Sequence, residues 1–227
     1  MNTYLKIINN YKDKNIFILG AGPSLYYCMQ DPFFKELQKY GIVITVNSAI
    51  MAFKDCDIFI SNDALVRRWS WYPIITNSKC VKIVRNSWER YKNELKGFLY
   101  FEPRRTSEDK IDFREQRLCY CSSVPSAIDL AIQCSCKNIF LLGVDHNTIK
   151  EKDHFWQFFP INHQPKAHPP AQGPFSQQKT VFPINILAYK ALKKFAEYKK
   201  IKIYNCNVYN NVNVFKKIEF KDTKKYL

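Results

Sequence analysis

A chain of 227 residues with 46% hydrophobic and 15% aromatic residues is long enough to bury a substantial core, and that composition excludes a disordered protein. Its formal charge of +15 draws polyanions, whether nucleic acid, anionic lipid or phosphorylated substrate. No run approaches the ~20 consecutive apolar residues of a membrane span, and MNTYLKIINNYKDKN lacks an apolar segment followed by a small-residue cleavage site, so the expected location is cytoplasmic.

Short apolar runs alternate with helical patterns. Strands are expected at Ile16–Leu19, Ile42–Val46, Ile58–Ser61, Val81–Val84, Phe98–Phe101, Ile139–Leu142 and Ile201–Tyr204. Helices are expected at Ser24–Tyr40, Ser87–Leu95, Ser123–Gln133 and Asn185–Tyr198. Continuous rather than alternating apolar strands mean burial on both faces, so the expectation is a Rossmann-like α/β fold: an open, mostly parallel sheet covered by helices on both sides. No linker divides the chain, which reads as one nucleotide-binding domain, residues 1–227. Residues 146–183 break the rhythm: proline-rich, they hold all four histidines and follow directly on a strand. A connection that long inside a compact domain reads as a mobile flap over a ligand.

Eight cysteines raise the question of zinc or disulfides. Cys119-Tyr120-Cys121 and Cys134-Ser135-Cys136 lack the wider gap of zinc hooks, so free thiols are the expectation. Lysines cluster at 190–202 and 216–225, the first set at helical spacing. With no nucleic-acid-binding motif beside them, nucleic acid is not the favoured partner, and a peripheral contact with an anionic membrane surface, at the inner membrane face, is as well supported.

Polar clusters stand where ligands of open parallel sheets bind, just beyond the carboxyl ends of strands. Gly20-Ala21-Gly22-Pro23-Ser24 follows the first strand; its glycines permit close backbone approach and Ser24 can cap the next helix, whose free N–H groups would attract an anion. It is neither the dinucleotide fingerprint nor a Walker loop. Asn47-Ser48 and Asn62-Asp63 follow the next strands, Ser122 and Ser123 open the helix at 123, and Asp145-His146 follows Ile139–Leu142. Asp145 could accept hydrogen bonds from a sugar or base, or ligate Mg²⁺. Among His146, His154, His163 and His168 one can serve as a general base, and zinc binding by the four is a minor alternative.

The strings GAGPSL, SNDAL, SSVPSAIDLAIQCSCKNIFLLGVDH and IYNCNVYNNVNVF, in that order, resemble the 6-hydroxymethylpterin diphosphokinase-like family, some of whose members accompany bacterial surface-glycan assembly. The layout is also similar to bacterial sialyltransferases that use CMP-sialic acid, in which a Gly-Asn-Gly-Pro-Ser-Leu turn, two asparagines, a Thr-Ser-Gly helix start and Gly-Ile-Asp hold the nucleotide. The likeness spans residues 15–65 and 118–215. It implies nucleotide contacts from Gly20, Gly22, Ser24, Asn47, Asn62, Ser122 and Ser123, with Asp145 matching the aspartate of Gly-Ile-Asp. Ala21 and Tyr120 depart from it, standing for an asparagine and an arginine, and the sialyltransferase base aligns near Pro183.

The resulting expectation is a nucleotide-dependent transferase, glycosyltransferase-like, of bacterial surface-glycan assembly, moving a sugar from a CMP-type donor to a glycan or small-molecule acceptor. The donor phosphate would sit at the Gly20–Ser24 turn, His154 or His146 would act as base, and no cofactor would be required. The alternative is pyrophosphoryl transfer from ATP to a hydroxymethyl group, with Mg²⁺ on Asp63 and Asp145. A third is a non-catalytic nucleotide- or glycan-binding accessory protein on the same fold.

Overall fold

A computed structural model describes residues 3–87, 95, 97–104, 117–119, 121–166 and 176–227, without the side chains of 9 and 176–182. Its strands are β1 (Ile16–Leu19), β2 (Ile42–Val46), β3 (Ile58–Ser61), β4 (Val81–Arg85), β5 (Leu99–Phe101), β6 (Pro103–Arg104), β7 (Leu118–Cys119), β8 (Asn138–Leu142), β9 (Lys202–Asn205) and β10 (Lys216–Lys217). The α-helices are α1 (Ser24–Cys28), α2 (Leu37–Tyr40), α3 (Tyr72–Asn77), α4 (Ser123–Gln133) and α5 (Ser176–Tyr198).

Eight strands form one sheet in the order β10-β9-β8-β1-β2-β3-β4-β5, with every pair parallel. The chain leaves β1 toward β2 on one side and later returns through β8 on the other. The topology therefore reverses between β1 and β8, and the crevice beyond those two strand ends is the expected ligand position.

Strand residues alternate between two cores because successive side chains point to opposite faces. Ile16, Ile18, Ile44, Ile60 and Leu141 pack under α4 and α5, with Leu130, Tyr189 and Leu192 among their partners. Phe17, Leu19, Val43, Phe59 and Phe140 face α1, Phe33, Phe34 and the carboxyl-terminal segment. Phe17, Phe140 and Tyr204 stack in a row across three adjacent strands, with centroids 5.2 and 5.3 Å apart. Beneath α4, fully buried Asp129 pairs with Arg104 and accepts the Cys119 N–H at 2.7 Å.

Several elements differ from the sequence expectation. The single helix expected over Ser24–Tyr40 is broken into α1, a 3-10 turn at Pro32–Glu36 and α2. Pro32 holds Asp31 extended, and the Asp31 carboxylate caps the new turn by accepting the Phe33 N–H at 2.9 Å. The helix expected at Ser87–Leu95 falls largely outside the described residues. At the far end α5 begins at Ser176, inside the segment expected to be flap, and carries Pro183 within it. Within residues 146–166 the turn Phe155–Phe158 packs against the fold: Phe155 is fully buried and Phe158 stacks on Tyr26 at 4.7 Å. Backbone bonds tie Phe155 N–H to Ala21 O (3.1 Å) and Ser70 N–H to Lys166 O (2.9 Å). All eight cysteines are free thiols. Among the described residues no helix is long and apolar enough to cross a membrane.

Candidate functional site

Two polar constellations meet at the carboxyl edge of the sheet. The first joins the turn after β1 to the turn after β8. Gly20 and Gly22 donate their N–H groups to Leu142 O (2.7 Å) and Gly143 O (2.8 Å). A Cβ on Gly20 would stand 2.5 Å from Gly143 O, and one on Gly22 would stand 2.6 Å from both Gly143 O and Asp145 Oδ2. These glycines are required by the neighbouring backbone. Asp145, fully enclosed, then accepts Ser24 N–H at 2.7 Å, Ser24 Oγ–H at 2.6 Å and Asn207 Nδ2–H at 2.8 Å. Burial pushes its carboxyl above the usual range, with the Ser24 and Asn207 hydrogen bonds acting the other way.

In this arrangement the turn expected to meet a phosphate meets a carboxylate of the chain. The anion at the start of α1 is the Asp145 carboxylate itself, and α1 has only five residues. Gly20, Gly22, Ser24 and Asp145 thus form a lock between the central strands. Asn207, absent from the sequence expectation for the site, completes it.

The second constellation spans β2, β3 and the start of α4. Asn47, at φ +52°, turns the chain at the end of β2, a conformation asparagine tolerates. The Ser123 hydroxyl accepts Asn62 N–H at 2.9 Å and lies 3.4 Å from Asn47 Oδ1. Ser126, one turn along α4, reaches Asn62 Oδ1 at 3.0 Å. Three motifs separated by up to 76 residues in sequence therefore converge on one hydroxyl. Asn47 Nδ2 and Ser122 Oγ make no hydrogen bond among the described residues and remain open to a ligand. Ser122 stands at the N-cap of α4, an eleven-residue helix whose first-turn N–H groups face the same edge.

Asp63 is exposed and caps the 3-10 turn at Ala64–Arg68 through Leu65 N–H at 2.8 Å. It follows β3, whereas Asp145 follows β8, three strand spacings or about 14 Å away across the sheet. Asp145 is also committed to three donors, so the two carboxylates do not compose a shared Mg²⁺ site. Among the described residues no group of three or more His, Cys, Asp or Glu side chains lies together.

The histidines separate. His146, at φ +51°, shares a 3.0 Å hydrogen bond between Nε2 and the Tyr189 phenol, and burial lowers its pKa to about 4. Tyr189 is fully enclosed on α5, and burial, with Cys121 and Cys119 nearby, holds its phenol protonated. Nothing in the local pattern of α5 marks Tyr189 as a site residue, because it has the spacing of a core position. His154 opens the turn at Phe155–Phe158, with its backbone N–H on Gln157 Oε1 at 3.0 Å. Its Nδ1 is buried without a partner among the described residues, its ring lies 5.2 Å from Trp156, and burial lowers its pKa against the pull of Asp153. His163 sits in the turn Ile161–His163 with its side chain exposed. Tyr120 and His168 lie outside the described residues.

No protein-family model and no curated protein matches this chain. Solved structures do. A Maf glycosyltransferase from Magnetospirillum magneticum AMB-1 aligns over 93% of this chain with a TM-score of 0.58 and 14% identity. This chain spans only 34% of that protein. The sialyltransferase CstII from Campylobacter jejuni, solved with the substrate analogue CMP-3FNeuAc, aligns over 90% of this chain and 86% of its own, at TM-score 0.51 and 16% identity. The monofunctional α-2,3-sialyltransferase Cst-I from the same organism aligns over 89% and 79%, at 0.52 and 16%. At these identities the likeness is one of fold, and the chain shares the open parallel α/β architecture of these glycosyltransferases.

Proposed function

We propose that this chain is a nucleotide-sugar-dependent glycosyltransferase that seats a CMP-type donor across the ends of β2, β3 and α4. The observation that carries the proposal is the Ser123 hydroxyl drawing Asn47 and Asn62 together at the start of a long helix. The shared fold of two sialyltransferases, one solved with a CMP-sugar analogue, supports the choice of donor. In this reading the phosphate meets the α4 amino terminus and the open Ser122 hydroxyl, where N–H groups and the helix dipole favour negative charge. Asn47 Nδ2 orients the nucleoside. The charge of +15 steers the anionic donor.

The proton acceptor is assigned to His154, whose buried Nδ1 has no partner among the described residues, rather than to His146, whose Nε2 is committed to Tyr189. Asp145 acts as a positioning residue, fixing the turn beside the donor. The exposed lysines 193, 194, 199, 200 and 202 form a basic end suited to an anionic inner-membrane face, which would bring the enzyme to surface-glycan acceptors.

Thermal stabilisation by CMP, CTP, UDP, GDP and ATP, each with Mg²⁺ and with EDTA, tests this. A nucleotide at ~100 times its Kd adds about 2.7 kcal/mol, or roughly 5–11 °C in Tm for a chain of this size. Stabilisation by CMP in EDTA is the expected result, lost in Ser123→Ala. A shift with ATP and Mg²⁺ alone would replace the proposal with pyrophosphoryl transfer, and no shift with any nucleotide would end the nucleotide reading.

A further inference from the structure

Against the Ser24–Asp145–Asn207 lock a concavity opens. It encloses about 490 Å³ between α1, the loop after β9 and the carboxyl-terminal segment. That volume is within the ~300–1,000 Å³ range of small-molecule sites. Its floor is apolar, built on Cys28 and Phe220, and its polar groups are Ser24, Asp31, Asn207, Glu219 and Lys221. Two carboxylates against one ammonium make this lining locally acidic on a chain of charge +15. A phosphate or nucleotide is disfavoured there.

Two tyrosines flank the opening. Tyr27 is 43% exposed and Tyr209 is 80% exposed, and neither phenol has a hydrogen-bond partner among the described residues. Both are nevertheless held. The Tyr27 ring makes edge-to-face contacts with Tyr26 and Phe158, each at 5.6 Å. Tyr209 is fixed through its backbone, its N–H donating to Asn207 Oδ1 at 3.0 Å and its carbonyl accepting Asn147 Nδ2–H at 2.7 Å. Asp31 uses Oδ1 on Phe33 N–H and Glu219 uses Oε2 on Lys221, so one oxygen of each stays available as an acceptor. Apolar ring faces interleaved with carboxylate acceptors call for a ligand with apolar C–H faces and many hydroxyl donors.

We propose that this cavity binds a neutral pyranose, the terminal sugar of the acceptor glycan. The word acceptor rests on the glycosyltransferase reading above; the saccharide chemistry rests on the cavity alone. Asn207 and Ser24 belong both to the cavity wall and to the lock on Asp145, which puts a bound sugar at the β1 and β8 end of the same sheet edge, two to three strand spacings (roughly 10–14 Å) from where the donor is proposed.

The test is saturation-transfer NMR on the full chain with the methyl glycosides of galactose, glucose and N-acetylglucosamine at millimolar concentration. Tyr209 and Glu219 are exposed, so Tyr209→Ala and Glu219→Gln leave the core intact. At least one glycoside is expected to bind, to weaken by about tenfold or more in both variants, and to be unaffected by Ser123→Ala or by added CMP. The proposal is overturned if no neutral glycoside binds, if binding is unchanged in both variants, or if CMP displaces the sugar. Glycoside binding through Tyr209 without stabilisation by any nucleotide would leave the saccharide site standing and remove the transferase reading.

Discussion

Gly22→Ala separates two accounts of the turn after β1. In the lock, an alanine Cβ lies 2.6 Å from Gly143 O and 2.6 Å from Asp145 Oδ2, where ordinary contact begins at 3.4 Å, so the turns must part by about 0.8 Å. Overpacking of that kind costs roughly 1–3 kcal/mol. Displacing Asp145 also loosens its bonds to Ser24 N–H and Oγ–H, and losing one hydrogen bond to a charged acceptor costs roughly 1.5–3 kcal/mol. The expected loss is about 3–5 kcal/mol, read as a fall in the urea midpoint at unchanged m-value. Gly97→Ala is the control: at φ +79° with nothing within 4 Å of its Cβ, it carries only the left-handed backbone cost of about 1–2 kcal/mol. The lock fails as the role of this turn if Gly22→Ala stays within about 1 kcal/mol of the parent yet abolishes nucleotide stabilisation, because the glycine then makes room for a ligand.

Other outcomes follow from buried charges. His146 is neutral in the fold with a pKa of about 4 against 6.5 unfolded, so the unfolded chain binds the extra proton between those values. Stability from this group is complete above pH 6.5 and falls as pH drops toward 4, by about 3 kcal/mol at 1.36 kcal/mol per unit. Urea titrations at stepped pH should show a shallower acid loss in His146→Gln; parallel curves for parent and variant would defeat the assignment. Arg104→Met strands the carboxylate of Asp129 in the core and should cost about 3–5 kcal/mol, whereas the double variant Arg104→Met/Asp129→Leu should recover much of it. Asp145→Asn keeps the volume but turns an amide N–H₂ toward donors from Ser24 or Asn207, and should lower the urea midpoint by an amount equivalent to about 2 kcal/mol. An Asp145→Asn variant with full stability but no transfer would instead give the carboxylate a direct chemical role.

The strands were legible because each is a short, continuous β-branched or aromatic run, and the pattern of a sheet buried on both faces needs no further information. Asn47, Asn62, Ser122 and Ser123 were legible as polar residues just past strand ends or at a helix start. The break at Asp31-Pro32 was also written in the chain, but the helical periodicity of Ser24–Tyr40 outweighed it. What the sequence could not express was partnership across distance. Gly20 and Gly22 read as room for a ligand, because nothing local says that Gly143, over a hundred residues on, occupies that room. The role of Asn207 and the bond from Tyr189 to His146 are invisible for the same reason. Proline at 183 and the histidines made 146–183 look like one loose flap, while burial of Phe155 and the stacking of Phe158 on Tyr26 hold its first part in place.

The central position of β1 has a consequence for how the chain is made. The partner of one edge of β1, β2, follows closely in the chain, but the other edge waits for β8, whose register sets Ile16 beside Ile139. At ~5–20 residues per second, the middle strand of the sheet leaves the ribosome about 6–25 s before its second neighbour exists. For that interval Ile16–Leu19, every residue of which is buried in the finished fold, presents an open edge to any other strand. Carboxyl-terminal truncations that stop short of Leu142 should therefore aggregate rather than persist as half-domains, and the nascent chain has reason to be met by a chaperone.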